Sequence, residues 1–311
     1  MKLGIAFGWH TVPFEALLAL VRRAEALGYA AAYVDGDVSV LESRGEGDVL
    51  DGWTLTTALL ARTERIQIGS IRLPHHWNAA KLAQAAATAE RLFPGRLRFL
   101  VSIGGHEADR RFGLPFPPPD ERIAWLGELL DALRALWRGE TVSRTGRFVR
   151  LEGARVRPTP PGGRLPIELG ARRPKLLQLV ARHAERWDVN LPPVRRRVAE
   201  AAAALERACR EERRDPASIE RSMWIFARPG RDPGDPALRA EFRRWNPWFA
   251  DIGELELGEA IVAGDPADCR RTLAQVAGEL ELALPVVDCS GLDADAARHV
   301  LDAFAPLGEP R

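Results

Sequence analysis

The chain has 311 residues, enough for one large α/β barrel or two ordinary domains, and its 46% hydrophobic content is that of a protein with a sizeable core. Its 44 basic and 43 acidic residues leave a net charge of +1, which favours neither nucleic acid nor an anionic membrane surface as partner. Three scattered cysteines, Cys209, Cys269 and Cys289, make no disulfide framework, and Cys209 and Cys289 read as buried thiols.

Leu3 to Phe7 reads as a buried strand, and Phe14 to Leu27 follows with apolar residues at helical spacing and Gly28 as its C-cap. Ala30 to Val34 is a second strand. A helix over Thr54 to Arg62 leads to a third strand at Ile66 to Ile71, and a helix over Ala79 to Leu92 to a fourth at Leu97 to Ser102. Ile123 to Trp137 is helical, then a hairpin is expected around Phe148 to Val156. Strands at Ile167 to Leu169, Trp187 to Asn190, Ser222 to Ala227 and Ala283 to Val287 alternate with helices over Lys175 to Ala184, Val194 to Arg213, Asp268 to Leu280 and Ala294 to Ala305. Between the seventh and eighth strands a long loop carries Trp245-Asn-Pro-Trp-Phe249. Eight strand–helix units in this length predict a (β/α)8 TIM barrel with insertions at its C-terminal face, as one domain over residues 1–311; a doubly wound open sheet is the alternative. The chain opens in a strand with no charged-then-apolar leader, and no apolar run reaches the roughly 20 residues of a membrane span. A soluble protein of the reducing cytoplasm is expected. The arginine run Arg195 to Arg197 reads as a solvated helix face.

In such a barrel chemistry sits at the C-terminal ends of the strands. Gly170-Ala171-Arg172-Arg173-Pro174 ends one strand and opens a helix, where N-terminal amides, the helix dipole and two guanidinium groups suit a phosphate; an ordinary turn with exposed arginines is the alternative. Ser102-Ile-Gly104-Gly105-His106-Glu107 lacks the lysine of a phosphate loop and the spacing of a dinucleotide fingerprint. Its glycines would let a flat ring lie against backbone, and His106 or Glu107 would supply a proton; a glycine-rich turn with solvated polar residues is the alternative. His106 to Asp109 begins like a helical zinc motif, but Arg110 stands where the second histidine belongs, and no metal is expected. Trp245, Trp248 and Phe249 form either a lid over a planar substrate or a packing surface.

Several segments, in this order, resemble the luciferase-like flavin-dependent oxidoreductases, the bacterial luciferase superfamily. They are Glu90-Arg-Leu-Phe-Pro-Gly-Arg-Leu97, Arg111-Phe-Gly-Leu-Pro-Phe116, Leu133-Arg-Ala-Leu-Trp-Arg-Gly-Glu140, Gly146-Arg-Phe-Val-Arg-Leu151 and Val180-Ala-Arg-His-Ala-Glu-Arg-Trp187. The resemblance implies a TIM barrel that uses FMN or the deazaflavin coenzyme. It places the cofactor phosphate on Gly170 to Pro174 and the ring against the ends of the third and fourth strands. A bulge with a cis peptide is implied at Ser70-Ile71. Many members carry Asp-His at the end of the second strand; here the residues are Gly36-Asp37, so Asp37, His106 and Glu107 become the candidates for proton handling. The substrate pocket is expected to draw on Trp9, His76, Trp77, Asn78, Trp245, Trp248 and Phe249.

The leading expectation is a two-component monooxygenase in which reduced FMN from a separate flavin reductase reacts with O₂ beside a small organic substrate. The alternatives are hydride transfer with the deazaflavin coenzyme, and a flavin-binding protein without turnover. A homodimer is implied by the resemblance alone.

Overall fold

The computed structural model describes residues 1–8, 13–36, 48–104 and 107–305. The short apolar runs are strands, each buried along its length: β1 (Gly4–Phe7), β2 (Ala31–Val34), β3 (Gln67–Arg72) and β4 (Leu97–Val101). After the hairpin β5 (Val142–Thr145) and β6 (Arg150–Ala154) come β7 (Ile167–Ala171), β8 (Arg186–Val189), β9 (Glu220–Pro229), β10 (Ile261–Gly264) and β11 (Leu284–Asp288).

The parallel order β1-β2-β3-β4-β7-β8-β9-β11 closes on itself, because β8 pairs with β9 and β11 with β1. Ile5 lies opposite both Ala32 and Val287, so the side-chain alternation passes round the ring without a slip. The open sheet is therefore excluded, and the fold is the (β/α)8 barrel.

The helices α1 (Phe14–Ala26), α2 (Gly52–Arg62), α3 (Ala79–Leu92), α4 (Pro119–Trp137), α5 (Pro174–His183), α6 (Arg195–Glu211), α7 (Pro236–Trp245), α8 (Glu254–Ala260), α9 (Pro266–Glu279) and α10 (Ala294–Phe304) follow in chain order. The main core fills the shell between strands and helices, with Phe99, Trp137 and Trp187 fully buried in it. The two indoles keep their N–H groups satisfied on carbonyls, Trp137 on Ala83 and Trp187 on Ala171. Among the described residues no helix is long and apolar enough to cross a membrane.

The excursion after β9 differs from the expected loop. It forms α7, a 3₁₀ turn at Pro247–Phe249, α8 and β10, and β10 adds to β9 outside the ring. These elements enclose their own core of Phe226, Leu238, Phe242, Phe249, Ile252 and Ile261. Arg195 to Arg197 are also not merely solvated. Arg197 pairs with Glu256 and Asp251, both at 2.7 Å, and Arg195 with Glu279 at 2.5 Å, tying α6 to the excursion and to α9.

Candidate functional site

Backbone rather than side chains lines much of the C-terminal mouth. A Cβ on Gly8, just after β1, would lie 2.6 Å from Ser290 Oγ and 3.4 Å from Asp35 Oδ1. One on Gly36, after β2, would lie 1.9 Å from the Ile71 carbonyl oxygen, so the end of β2 presses directly on the end of β3. Gly104, after β4, has φ +75° and faces Leu73 and His75, while a Cβ on Gly170 would lie 3.1 Å from Asp188 Oδ2. Only glycine permits approaches this close, so the strand ends and their neighbours pack tightly round the mouth.

Below the mouth the barrel interior holds a polar cluster beside apolar side chains such as Ala6, Leu100 and Val286. Glu168 on β7 receives both arms of the Arg98 guanidinium, at 2.9 and 2.8 Å, the Tyr33 hydroxyl at 3.0 Å and the Ser222 hydroxyl at 2.6 Å. Burial opposes ionisation of Glu168, yet the Arg98 charge and these hydrogen bonds hold it below the ordinary carboxylate range. Asp188 on β8 shares the interior without such help. Burial first, and the Glu168 charge second, push it up to about 8 against the pull of Arg98.

The rim is braced by arginines. Arg72 at the end of β3 turns outward onto α2, where it donates to Ser70 Oγ, Thr56 Oγ1 and the Gly52 carbonyl and lies 4.8 Å from the Trp53 ring. Burial lowers it to about 9. Arg122 on α4 donates to the carbonyls of Ile103 and Gly104, at 3.0 and 2.7 Å, and so fixes the loop that follows β4. Arg228 on β9 donates to the carbonyls of Asp288 and Ser290, both at 2.8 Å, and pairs with Glu241 on α7 at 2.6 Å.

The expected site residues separate into groups. Ile71, Ser102, Gly104 and Gly170 stand together at the mouth, the first two on the inward register of β3 and β4. Ser70 does not join them, because its hydroxyl faces α2 and bonds to Thr56 and the Gly52 carbonyl. Nor is there a cis bond at Ser70-Ile71: among the described residues the cis bond is Arg157-Pro158, and β3 pairs in continuous register with β4 from Ile68 to Arg72. Continuous pairing leaves no bulge for a cis peptide to fill.

Ala171 closes β7, its carbonyl accepting from Trp187. Arg172 is half-buried, donates to the Trp248 carbonyl at 3.0 Å and lies 5.5 Å from the Phe249 ring. Arg173 is exposed at the N-cap of α5, whose first residue Pro174 offers no amide hydrogen. The segment expected to hold a phosphate is thus tied through Arg172 to the aromatic segment, two stretches that the sequence kept apart.

The pocket residues are less uniform. Asn78 caps α3, its Oδ1 accepting from Lys81 N at 3.1 Å, which engages its side chain structurally. Trp77 packs edge-on against Trp53 at 5.9 Å, and the half-buried His76 ring lies 4.5 Å from His75. Phe249 belongs to the second core. Trp245 lies flat on Gly291, where a Cβ would meet its ring at 1.9 Å, so this indole roofs the end of β11. Trp9, Asp37, Gly105 and His106 lie outside the described residues. Glu107 begins a 3₁₀ turn at Glu107–Phe112 beside the mouth.

Sequence reasoning overlooked Arg98, Glu168, Asp188, Arg72 and Arg122. The first three had a signal. Each is a charged residue inside a short apolar strand, which in a closed barrel places it either in the interior or in the helix layer.

The curated relatives include F420-dependent glucose-6-phosphate dehydrogenases. That of Nocardia farcinica is 40% identical over 133 residues, 42% of this chain and 38% of the relative. That of Mycobacterium avium is 33% identical over 186 residues, 58% of this chain and 55% of the relative. The chain thus matches only about half or less of their length. Among solved structures, an F420-dependent secondary alcohol dehydrogenase in complex with an F420-acetone adduct superposes with a TM-score of 0.81 at 20% identity, covering 98% of both chains, which supports the fold alone. The family profile described as luciferase-like monooxygenase matches residues 1–280, and the protein belongs to that family.

Proposed function

We propose that this oxidoreductase uses the deazaflavin coenzyme F420 for hydride transfer with a small hydroxyl- or carbonyl-bearing substrate, rather than FMN and O₂. What carries the reading is the C-terminal mouth, where Gly8, Gly36, Gly104 and Gly170 stand at or just past the ends of β1, β2, β4 and β7 and leave those strand ends without side chains. A flat tricyclic ring can lie against backbone at such positions, so the residues present fit the group. The choice of deazaflavin over FMN rests on the F420-dependent relatives, not on the geometry.

The coenzyme, when bound, supplies the hydride acceptor or donor. The peptide groups of Gly104 and Gly170 would lie against its ring, and Arg173 with the end of β7 would meet its phosphate. Arg122 holds the carbonyls of Ile103 and Gly104, which fixes the start of the loop that carries Glu107. A substrate hydroxyl must lose its proton as its carbon is oxidised, and we assign that proton to the Glu107 carboxylate. Trp245, packed on Gly291, would keep water from one side of the mouth.

The test is an anaerobic assay with oxidised F420 and a panel of secondary alcohols and sugar phosphates, read as loss of the coenzyme's visible absorbance. Substrate-dependent bleaching is expected. Its absence with every substrate, together with an oxygenated product that forms from substrate, reduced FMN and O₂ in a separate aerobic assay only when the protein is present, would restore the monooxygenase reading.

A further inference from the structure

Asp188 is nearly buried, with a relative exposure of 6%, and no hydrogen bond or ion pair to its carboxyl is found among the described residues. Its Oδ2 lies 3.1 Å from the point a Gly170 Cβ would occupy, and Ser102 Oγ lies 3.5 Å from that same point. The carboxyl therefore packs against Gly170 at the C-terminal end of the barrel interior, between the ends of β4 and β7. In register it stands beside Gly170, one inward position nearer the mouth than Glu168.

Its electrical surroundings are equally specific. On β4, Arg98 faces the interior, but both arms of its guanidinium are bound to Glu168 on β7. On β2 the facing group is the Tyr33 phenol, itself donating to Glu168, and on β9 it is the uncharged Ser222. The cation that pulls on Asp188, Arg98, is thus already paired with one carboxylate, and Arg186, two residues before Asp188 on β8, pairs with Glu220 at 3.3 Å. A buried carboxyl in that position keeps its proton, because losing it would place two negative charges against one positive in a poorly solvated interior.

We propose that Asp188 is a neutral hydrogen-bond donor at the floor of the barrel mouth, and that it positions the bound coenzyme by donating to an oxygen acceptor on the edge of its ring. The inference rests on the proposed flavin-type site and deepens it. A neutral carboxyl can donate where a carboxylate can only accept, so the group selects an acceptor atom such as a ring carbonyl or a phenolate oxygen. Removing the donor leaves that buried acceptor unsatisfied, an effect that propagates into affinity. Burial and Glu168 hold the proton on Asp188 up to about pH 8, so the donor is in place at neutral pH and is lost above that value.

The experiment compares wild type, Asp188→Asn and Asp188→Leu by fluorescence titration with F420, and in parallel with FMN, between pH 6 and pH 9. Circular dichroism and thermal melts confirm that each variant is folded. Asn keeps a neutral donor and Leu does not. Expected are a loss of affinity of about tenfold or more in Asp188→Leu, near-wild-type affinity in Asp188→Asn at pH 7, and a decline above pH 8 in wild type but not in Asp188→Asn. Infrared spectra of the ligand-free proteins give a second readout: the carbonyl stretch of a protonated carboxylic acid should be present in wild type and absent from Asp188→Asn. If both variants bind as wild type does, or if Asp188→Asn binds as poorly as Asp188→Leu while no acid stretch is found, the assignment is overturned and the proposed function stands. If wild type binds neither coenzyme, both fall together.

Discussion

Replacing Glu168 with Gln should have an outcome that depends on Asp188, and the structure sets the size of the dependence. Among the described residues Glu168 is the carboxylate bonded to Arg98, through contacts at 2.9 and 2.8 Å, with exposures of 5% for Arg98 and 1% for Glu168. Breaking a buried pair of this kind from one side costs about 3–5 kcal/mol, since a buried charge is left without compensation. Asp188 is within Coulomb reach of Arg98, however, and burial and the Glu168 charge push it up only to about 8. Its ionisation at pH 7 therefore costs on the order of 1 kcal/mol, and less once the Glu168 charge is gone. In Glu168→Gln, Asp188 should therefore ionise and serve Arg98, holding the loss to about 1–2 kcal/mol. Asp188→Asn alone replaces a neutral carboxyl by a neutral amide and should cost under about 1 kcal/mol. The double variant has no carboxylate left and should show the full loss, a coupling of about 2 kcal/mol. Urea unfolding of the four proteins at pH 7, followed by tryptophan fluorescence, measures it. Additivity within about 0.5 kcal/mol would refute the reasoning.

Three further outcomes follow from the geometry. Gly36→Ala should lose about 3 kcal/mol, because its Cβ would lie 1.9 Å from a backbone oxygen that cannot swing away, whereas Gly278→Ala, with nothing within 4 Å, should be neutral in the same melts. His183 is held down to about 4 by burial, with Arg134 and Arg182 adding to the effect against the pull of Asp131. A lowered folded-state value means its contribution is complete above the unfolded value of about 6.5 and is lost as pH falls toward 4; wild type should lose about 2 kcal/mol between pH 7 and pH 5 that His183→Gln does not. Arg173→Ala should weaken coenzyme binding about fivefold without lowering the melting temperature, since the side chain is exposed at the α5 N-cap; unchanged affinity would remove the phosphate from this rim.

Much of the barrel was legible because its signal is local. Four- and five-residue apolar runs such as Gly4–Phe7 and Leu97–Val101 separate amphipathic helices, and only ring closure, a pairing of β8 with β9, had to come from three dimensions. The excursion after β9 was read as a loop although it carries a start signal. Asp235-Pro236 caps α7, with Asp235 Oδ1 accepting from Ala237 N at 2.8 Å, and Asp265-Pro266 caps α9 in the same way. Its arginine-rich helix and the short strand Ile261–Gly264 have little periodicity of their own and are fixed by packing against Phe226. At the site, glycines pointed to the mouth correctly, because a close backbone approach leaves a residue-level trace. Ser70 was misassigned because strand parity, not proximity to the mouth, decides which side chains face inward. Asp188 and Glu168 were missed because a single charge in an apolar strand reads as noise until a second strand supplies its partner.

A deazaflavin site at the glycine-lined mouth of the barrel is tested most directly by equilibrium binding of F420 and FMN to the purified protein, each followed by fluorescence. Saturable micromolar or tighter binding of F420 is expected, with FMN at least tenfold weaker. Tighter binding of FMN, or no saturable binding of either, would contradict it.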